Sequence, residues 1–379
     1  IFQRGDRSLP LNQMIPFSDP FASYKRHKQE VDEAVRRVLD SGWYVLGNEV
    51  KSLEEEFSAF HGEEFDAVGV ANGTDAISLC LRTLGLGPGD EIITTSHTAV
   101  ATIAGIEQAG CSPVFADIEG DSRCLSPESI ERRISKETRA IMPVHIYGQP
   151  CKMQKIMEIA RSHGLEVIED CSQAHGAEIN GKKVGTFANL SAFSCYPTKN
   201  LGGIGDGGII LSRSKRDGEK IRSLRQYGWN QDRESVTQGF NSRLDELQAA
   251  ILRVKLTHLE QDNRQRRKIA DQYASSLEDL PIRLPYRTDG ELHAMHLFVI
   301  ECEKRDDLLS YLNESGVGAS LHYALPVHRQ KGYENRIRGC NDLIHTEAFY
   351  KRNLTLPMFP ELSQDAIEQI VSCIREWFA

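Results

Sequence analysis

The sequence predicts an α/β protein: a large domain with a mostly parallel sheet flanked by helices, followed by a smaller C-terminal α/β domain. Short apolar runs between residues 66 and 212 alternate with helical patterns, which favours a parallel sheet covered on both faces. A long amphipathic segment follows, and two further strand-like runs lie at 293–302 and 317–323. The 379 residues suffice for one large core and a second, smaller one.

Six apolar runs have the length and composition of buried strands. They are EIITT (91–95), PVFAD (113–117), RAIMPV (139–144), LEVIED (165–170), LSAFS (190–194) and GIILS (208–212). Between two of them, apolar residues recur at helical spacing from Met153 to Ala160, which predicts an amphipathic helix. Strands that alternate with helices in this way are typical of a parallel sheet.

A long helix is predicted over residues 242–261, SRLDELQAAILRVKLTHLEQ. Ser242 and Asp245 resemble a capping box with Asp in place of Glu. The apolar residues cover more than one stripe, which favours contacts on two sides, with the chain's own core and a partner chain as candidates. We place the large domain at 1–250, with about twenty residues of N-terminal extension, and the small domain at 251–379.

Composition excludes several classes of protein. The net charge of -9 argues against nucleic acid as the main partner, because binding it requires a basic surface. No apolar run is long enough to span a bilayer, so no membrane contact is expected. The nine cysteines are scattered singly without a C-x-x-C pair, which disfavours disulfides and a metal site and favours the cytoplasm.

Candidate site residues follow the predicted strands. Ligands of open α/β sheets bind at the carboxyl ends of the strands. Asp170 ends one predicted strand and Gln173 follows three residues later, whereas Ser194 ends the next and Lys199 follows after a short turn. These four side chains are therefore expected near one edge of the sheet.

Two further features fall at the same edge. Gly73 and Thr74 stand at the start of a predicted helix, where free N–H groups and the helix dipole attract an anion. Ser96, His97 and Thr98 follow the strand 91–95. Both features extend the candidate site.

The glycines Gly203, Gly205 and Gly208 match the dinucleotide pattern G-x-G-x-x-G. That fingerprint must follow a strand and open a helix. Here the glycines precede the predicted strand 208–212, so the pattern does not support a nicotinamide dehydrogenase. Glycines at these positions would instead let the backbone come close to a group beside Lys199.

A carboxylate, an anion-binding helix start, a hydroxyl and a lysine together suit pyridoxal phosphate. This cofactor needs an amine for a Schiff base, an anion beside its ring nitrogen, and donors for its phosphate. Each residue alone has an ordinary structural explanation: Lys199 as a surface charge, Asp170 as a helix cap, His97 as a packing residue. Their convergence on one sheet edge favours the joint site.

At these residues the sequence resembles the sugar aminotransferases of the DegT/DnrJ/EryC1/StrS family, within the fold type I pyridoxal-phosphate enzymes. The resemblance runs from about residue 40 almost to the C-terminus, and it implies the aspartate-aminotransferase-like fold. The stretches that carry it are ANGTDAISLCLRTLGLGPGDEIIT, PVHIYGQPCKM, VIEDCSQAHGA, SCYPTKNLGGIGDGG, FNSRLDELQAAILRVKL and LTLPMFPEL.

The resemblance also implies residue roles. Lys199 matches the Schiff-base lysine, Asp170 the partner of the pyridine nitrogen, and Gln173 the residue near the phenolic oxygen. Asn241 matches an asparagine that reaches the phosphate from the neighbouring subunit, which implies a homodimer with a shared active site. The phosphate cup is matched by three small residues, Gly73, Thr74 and Ser194.

Substrate residues follow from the same resemblance. Four side chains match positions that line a sugar-nucleotide pocket: Trp43, Tyr44, His322 and Tyr323. Many members carry an aromatic residue on the cofactor ring where this chain has Ala99, so His97 or another group is expected to cover that face. Some relatives replace the lysine with histidine and are dehydratases, an outcome against which Lys199 argues.

The implied reaction is a transamination. L-glutamate would load the cofactor as pyridoxamine phosphate, and the amine would pass to the C3 ketone of a dTDP-3-keto-6-deoxyhexose. The stretches SHTAVAT and NSRLDELQAAILRVKLTHLE carry the C3 assignment. The alternatives are a C4 ketone, a non-nucleotide keto-sugar acid, and a catalytically silent cofactor-binding regulator.

Overall fold

The computed structural model describes residues 14–379, so the first thirteen residues of the predicted extension lie outside the described residues. The helices are α1 Pro20–Arg26, α2 Lys28–Ser41, α3 Asn48–His61, α4 Gly73–Thr83, α5 Val100–Gln108, α6 Pro127–Glu131, α7 Met153–His163, α8 Lys215–Leu224, α9 Glu246–Leu277, α10 Arg305–Glu314, α11 Ile344–Tyr350 and α12 Gln364–Phe378. The strands are β1 Asp66–Val70, β2 Glu91–Thr95, β3 Ser112–Ala116, β4 Thr138–Ile141, β5 Glu166–Asp170, β6 Glu178–Ile179, β7 Lys182–Lys183, β8 Leu190–Ser194, β9 Gly208–Ser212, β10 Glu291–Leu292, β11 Phe298–Glu301 and β12 Asn353–Leu356.

Seven strands form the central sheet, in the order β1-β9-β8-β5-β4-β2-β3. Strand β9 is antiparallel to both of its neighbours, and the other neighbouring pairs are parallel. All six predicted strands belong to this sheet, and β1 completes it. The mostly parallel sheet is therefore confirmed, and the glycines of the dinucleotide pattern do lead into a strand, β9.

The predicted strand 139–144 is too long, because β4 ends at Ile141. Pro143 has no N–H to donate, so the ladder of β4 cannot continue regularly through it. Its carbonyl oxygen still accepts a hydrogen bond of 2.9 Å from the backbone nitrogen of Asp170. The chain between β4 and β5 thus stays beside Asp170.

Both faces of the sheet are buried, as continuous apolar runs predict for parallel strands. Along β9, Ile210 packs in the core that contains α4 and α8, whereas Ile209 and Leu211 pack in the core that contains α3 and α9. This alternation follows from the two-residue period of a strand. The helices therefore hold the strand ends, and the residues that follow them, in a rigid frame.

The long helix begins later than the sequence predicts and extends further. Helix α9 starts at Glu246 after Asp245, and no side chain caps it. The predicted capping box is wrong, because the Ser242 hydroxyl accepts a hydrogen bond of 3.2 Å from the backbone nitrogen of Ala71. Glu246 instead caps the start of α3 and accepts hydrogen bonds from three backbone nitrogens there, those of Gly47, Glu49 and Val50.

A second core lies around β11 and β12, which pair antiparallel. The predicted strand 293–302 is confirmed only over β11, Phe298–Glu301, and 317–323 is not a strand. Val317 bridges to Ile15, whereas Ser320 bridges to Thr355, so this segment pairs with two different partners. The same core buries the C-terminal half of α9. Helix α9 continues without a break through residue 250, where the predicted large domain ends. The division into two domains stays a prediction.

Residues before α1 lie against this second core. The backbone nitrogen of Ile15 donates a hydrogen bond of 2.8 Å to the carbonyl oxygen of Gly316. The carbonyl oxygen of Ile15 accepts one of 2.7 Å from the backbone nitrogen of Gly318. The carbonyl oxygen of Phe17 accepts from Met358 at 3.1 Å. Within residues 14–379, none of the helices is long and apolar enough to cross a membrane.

Candidate active site

Asp170 lies at the carboxyl end of β5 and is buried. Its Oδ1 accepts a hydrogen bond of 3.1 Å from the backbone nitrogen of Ser172, and its Oδ2 accepts one of 2.8 Å from the Thr102 hydroxyl. The hydroxyl oxygens of Thr98 and Thr102 lie 2.6 Å apart. The sequence predicts Thr98 beside His97 at this edge of the sheet but does not single out Thr102, although the spacing of four residues between the two threonines around the start of α5 is a usable signal.

Lys199 stands in the turn that follows β8, and its backbone nitrogen donates to the carbonyl oxygen of Tyr196 at 2.8 Å. Burial lowers the pKa of the Lys199 amine to about 8, while Asp170 and Cys195 act in the opposite direction. A lowered pKa raises the fraction of neutral amine, which is the nucleophilic form. The Lys199 amine therefore has a larger neutral fraction than an ordinary lysine, and the charge of Asp170 acts on it.

The side chain of Asn200 stabilises the turn that carries Lys199 through three hydrogen-bonding contacts. Its Nδ2 donates to Asn263 Oδ1 and to the Ala294 carbonyl oxygen, both at 2.8 Å. Its Oδ1 lies 3.1 Å from Nδ1 of His296. These contacts tie the turn to α9 and to the segment before β11, and the sequence analysis missed them, since an asparagine beside a lysine carries no local signal.

Gln173 is buried and uses both ends of its amide. Its Oε1 accepts a hydrogen bond of 2.6 Å from the backbone nitrogen of Tyr147, and its Nε2 donates to the Tyr323 hydroxyl at 3.0 Å. Tyr147 in turn donates its hydroxyl to the His322 carbonyl oxygen. Burial raises the pKa of Tyr323 to about 12, and Asp170 adds to this rise.

Together with Gln173 and Tyr323, His322 forms one wall of the site. Its Nδ1 lies 3.0 Å from the hydroxyl of Thr355 on β12. Burial lowers the pKa of His322 to about 4, and the charge of Lys199 lowers it further. The structure thus assembles predicted residues from both halves of the chain: Asp170, Gln173, Lys199, His322 and Tyr323.

The start of α4 has the form of an anion cradle. The Asn72 side chain caps the helix by accepting from the Asp75 nitrogen at 2.8 Å, and Gly73 is the first helical residue. A Cβ placed on Gly73 would lie 2.7 Å from the Cβ of Ser194. The first N–H groups of a helix have no partner within it, and they attract negative charge. Gly73, Thr74 and Ser194 therefore adjoin as a phosphate requires.

His97 lies in an aromatic cluster beside Tyr147. It is fully buried, and its ring packs edge-on against Tyr147, Phe349 and Tyr350, with Nδ1 3.2 Å from the Tyr350 hydroxyl. Burial lowers the pKa of His97 to about 3. Ala99 is the partly exposed N-cap residue of α5. That His97 covers the cofactor ring stays a prediction.

Three further predicted residues face outward from the described chain. Trp43 is 62% exposed and Tyr44 is 50% exposed, in the loop between α2 and α3. The indole N–H of Trp43 donates to the carbonyl oxygen of Val45 at 2.8 Å, which fixes the ring. Asn241 is exposed and pairs through its backbone with Gln226. The binding roles of these side chains stay predictions.

This arrangement suits one cofactor. Pyridoxal phosphate requires an amine for its aldehyde, an anion for its ring nitrogen and donors for its phosphate. These groups are offered at adjoining strand ends by Lys199, by Asp170 and by the start of α4. Gly73 approaches Ser194 so closely that only a residue without a Cβ fits there. Fold and site together define a fold type I pyridoxal-phosphate enzyme.

The chain belongs to the DegT/DnrJ/EryC1/StrS aminotransferase family, whose model matches residues 25–375. It is 42% identical over 364 residues to the dTDP-3-amino-3,4,6-trideoxy-alpha-D-glucose transaminase of Streptomyces venezuelae, covering 96% of both chains. It is 41% identical to the dTDP-3-amino-3,6-dideoxy-alpha-D-galactopyranose transaminase of Aneurinibacillus thermoaerophilus, covering 96% of this chain and 99% of that one.

Solved structures agree with this assignment. The crystal structure of DesV from S. venezuelae superposes with a TM-score of 0.93 at 41% identity, covering 96% of this chain and 98% of that one. The predictions of family, of fold type I, of pyridoxal phosphate as cofactor and of an enzyme, a sugar aminotransferase, are therefore confirmed. The roles of the individual residues stay predictions.

Proposed function

We propose that this enzyme transfers the amino group of L-glutamate to the C3 ketone of a dTDP-linked 3-keto-6-deoxyhexose. The observation that carries the amino-transfer chemistry is the Lys199 amine, whose pKa burial lowers to about 8 although the charge of Asp170 raises it. The C3 position is supported by the two relatives above, both named for 3-amino sugars on dTDP.

The residues of the site have distinct tasks in this reaction. Asp170 holds the ring nitrogen of the cofactor in its protonated form, and Gly73, Thr74 and Ser194 bind the phosphate. Bound pyridoxal phosphate supplies an electron sink for the carbon that loses a proton. The Lys199 amine, neutral in a substantial fraction near pH 8, would accept that proton and return it.

The wall formed by Gln173, His322 and Tyr323 binds the polar groups beside the ring. Because the Tyr323 hydroxyl oxygen accepts from the Gln173 amide, its own proton is available for another acceptor. Gln173 would contact the phenolic oxygen of the bound cofactor. Trp43 and Tyr44 offer exposed aromatic surface to the sugar nucleotide.

The active site is shared across a homodimer in this proposal. Asn241 is exposed on the single chain and stands just before α9, from where it reaches the phosphate of the neighbouring subunit. Mixing inactive Lys199→Ala and Asn241→Ala variants should restore activity, because each heterodimer then keeps one intact site. Verified heterodimers without any recovered activity would argue against sharing.

We also assign the enzyme to the cytoplasm. All nine cysteines are unpaired in the structure, and seven of them are buried. Free thiols in this number are typical of a reducing compartment.

The substrate is tested with a panel of nucleotide-linked keto-sugars and L-glutamate, followed by NMR of the product. We expect 2-oxoglutarate and a sugar bearing an amine at C3. An amine at C4, or turnover only with a keto-sugar acid that carries no nucleotide, would contradict the proposal. Cofactor binding without turnover of any keto-sugar would indicate a silent regulator instead.

A further inference from the structure

Two buried threonines form a chain of hydroxyls that ends on Asp170. Thr98, Thr102 and Asp170 are each 2% exposed. Thr102 Oγ1 lies 2.8 Å from Asp170 Oδ2, and Thr98 Oγ1 lies 2.6 Å from Thr102 Oγ1. The three side chains come from the β2–α5 loop, from α5 and from the end of β5.

The direction of this chain follows from counting protons. A hydroxyl has a single proton, and Thr102 donates it to the carboxylate of Asp170. In the short contact between the two threonines, Thr98 must therefore be the donor and Thr102 the acceptor. Each hydroxyl polarises the next in such a chain, which strengthens the bond to the carboxylate.

Helix packing alone does not require this arrangement. Threonine hydroxyls in helices usually bond back to a carbonyl oxygen of the preceding turn. The Thr102 hydroxyl instead reaches a residue 68 positions away in the sequence. Because the site is buried, water cannot easily replace the hydroxyl if it is removed, and one carboxylate oxygen would lose its donor.

The two donors on Asp170 fix the orientation of its carboxylate. Oδ1 accepts from the Ser172 nitrogen and Oδ2 accepts from Thr102, so one lone pair on each oxygen is engaged among the described residues. The second lone pair of each oxygen remains able to accept from a further donor. A carboxylate locked about its Cβ–Cγ bond presents that lone pair in a constant direction.

We infer that Thr102 is a positioning residue, which with Thr98 behind it orients the Asp170 carboxylate toward the ring nitrogen of the cofactor. This inference rests on the proposed role of Asp170. In this role Thr102 acts through Asp170, with which it shares a hydrogen bond. A purely structural threonine would affect stability but not the protonation of bound cofactor.

The test compares Thr102→Val, which keeps the shape and removes the hydroxyl, with Thr102→Ser, which keeps the hydroxyl. A matched control is Thr83→Val, because the buried Thr83 hydroxyl on α4 has no hydrogen-bond partner in residues 14–379. Two quantities are measured: the dissociation constant of pyridoxal phosphate, and the pH dependence of the visible absorption of the bound cofactor.

We expect Thr102→Val to weaken cofactor binding by about ten-fold or more, as the loss of a hydrogen bond to a charged group does. We also expect it to move the midpoint of the spectral pH titration. Thr102→Ser and Thr83→Val should both behave like the wild type. An unchanged Thr102→Val, or a Thr102→Ser variant as impaired as Thr102→Val, would overturn the inference.

If Thr102→Val does not fold, Thr98→Val decides the question. It removes only the outer hydroxyl, so a smaller change of both quantities in the same direction is expected, and no change would overturn the inference. The proposed function fails separately. A wild-type protein that does not bind pyridoxal phosphate contradicts the role of the site, whereas normal wild-type binding with an unaffected Thr102→Val contradicts the threonine chain alone.

Discussion

The hydroxyl of Ser96 and the imidazole of His328, 232 positions apart, share a buried hydrogen bond of 2.7 Å between Oγ and Nδ1. The other ring nitrogen of His328 lies 2.7 Å from Glu347 Oε1. Burial lowers the pKa of His328, which favours the neutral ring, in which Nε2 donates to Glu347 and Nδ1 accepts from Ser96. This bond ties the loop that carries Thr98 to the C-terminal part of the chain.

Replacing Ser96 with alanine should lower the free energy of unfolding by about 1–3 kcal/mol, because it leaves Nδ1 and the backbone N–H of His328 without their buried partner. Urea unfolding measures this loss. Ser162→Ala, at an exposed position on α7, should change stability by no more than about 0.5 kcal/mol. Equal effects in the two variants would refute a special role of the Ser96–His328 bond.

Replacing Lys199 with alanine should abolish covalent attachment of the cofactor. After treatment with borohydride and denaturation, the wild type should retain the pyridoxyl group on the chain and the variant should release it, because Lys199 supplies the bonding amine. Mass spectrometry detects the added group. Lys155→Ala, an exposed lysine on α7, should stay labelled like the wild type. A labelled Lys199→Ala protein would show that another amine holds the cofactor.

A methyl group added at Gly73 should weaken binding of the phosphate. The new Cβ would lie 2.7 Å from the Ser194 Cβ and 3.1 Å from its Cα, so the cradle must open. We expect at least about ten-fold weaker binding of pyridoxal phosphate, which corresponds to about 1.4 kcal/mol. Gly87→Ala is the control, since its Cβ would meet only one atom, at 4.0 Å. Cofactor titration that finds both variants equal to the wild type would contradict the cradle.

Stability should fall as the pH is lowered from 6.5 towards 4. Burial lowers the pKa of His97 and His175 to about 3 and that of His61 to about 4. In this range the unfolded chain binds protons at these histidines and the folded chain does not, so acid favours unfolding. Each such histidine contributes about 1.4 kcal/mol per pH unit.

A pair of variants isolates one of these histidines. His97→Phe keeps an aromatic ring among Tyr147, Phe349 and Tyr350, and it should reduce the slope of unfolding free energy against pH by about 1.4 kcal/mol per unit. His163→Phe, at the exposed end of α7, is the matched control for replacing a histidine with phenylalanine. Urea unfolding at pH 6.0 and 5.0 measures both, and identical slopes in the two variants would contradict a buried, neutral His97.

Much of the sheet and part of the site could be predicted from the chain itself. Continuous apolar runs located six of the seven central strands, because burial on both faces leaves a local compositional signal. Asp170 is predicted as a site residue because it ends one of these strands, and Lys199 because it follows another. The predicted ends of two elements were wrong. Strand β4 ends before Pro143, and the Ser242 hydroxyl accepts a hydrogen bond from Ala71 instead of capping α9.

Contacts between distant segments could not be predicted in this way. The segment 317–323 is apolar enough for a strand, yet Val317 bridges to Ile15 and Ser320 to Thr355, so no continuous ladder forms. Asn200 gains its importance only from Asn263 and Ala294, which lie far along the chain. His97 follows a strand as site residues do, but its surroundings are an aromatic core.

The sequence by itself determined the alternation of strands and helices, the family, and the position of the lysine and the carboxylate, because these depend on local periodicity and on residues close together in the chain. Only the tertiary structure decided which groups surround Asp170. Thr102 reaches it because the sheet order β5-β4-β2 sets the start of α5 beside the end of β5. That neighbourhood depends on the pairing of strands from different parts of the chain, which no short stretch of sequence encodes.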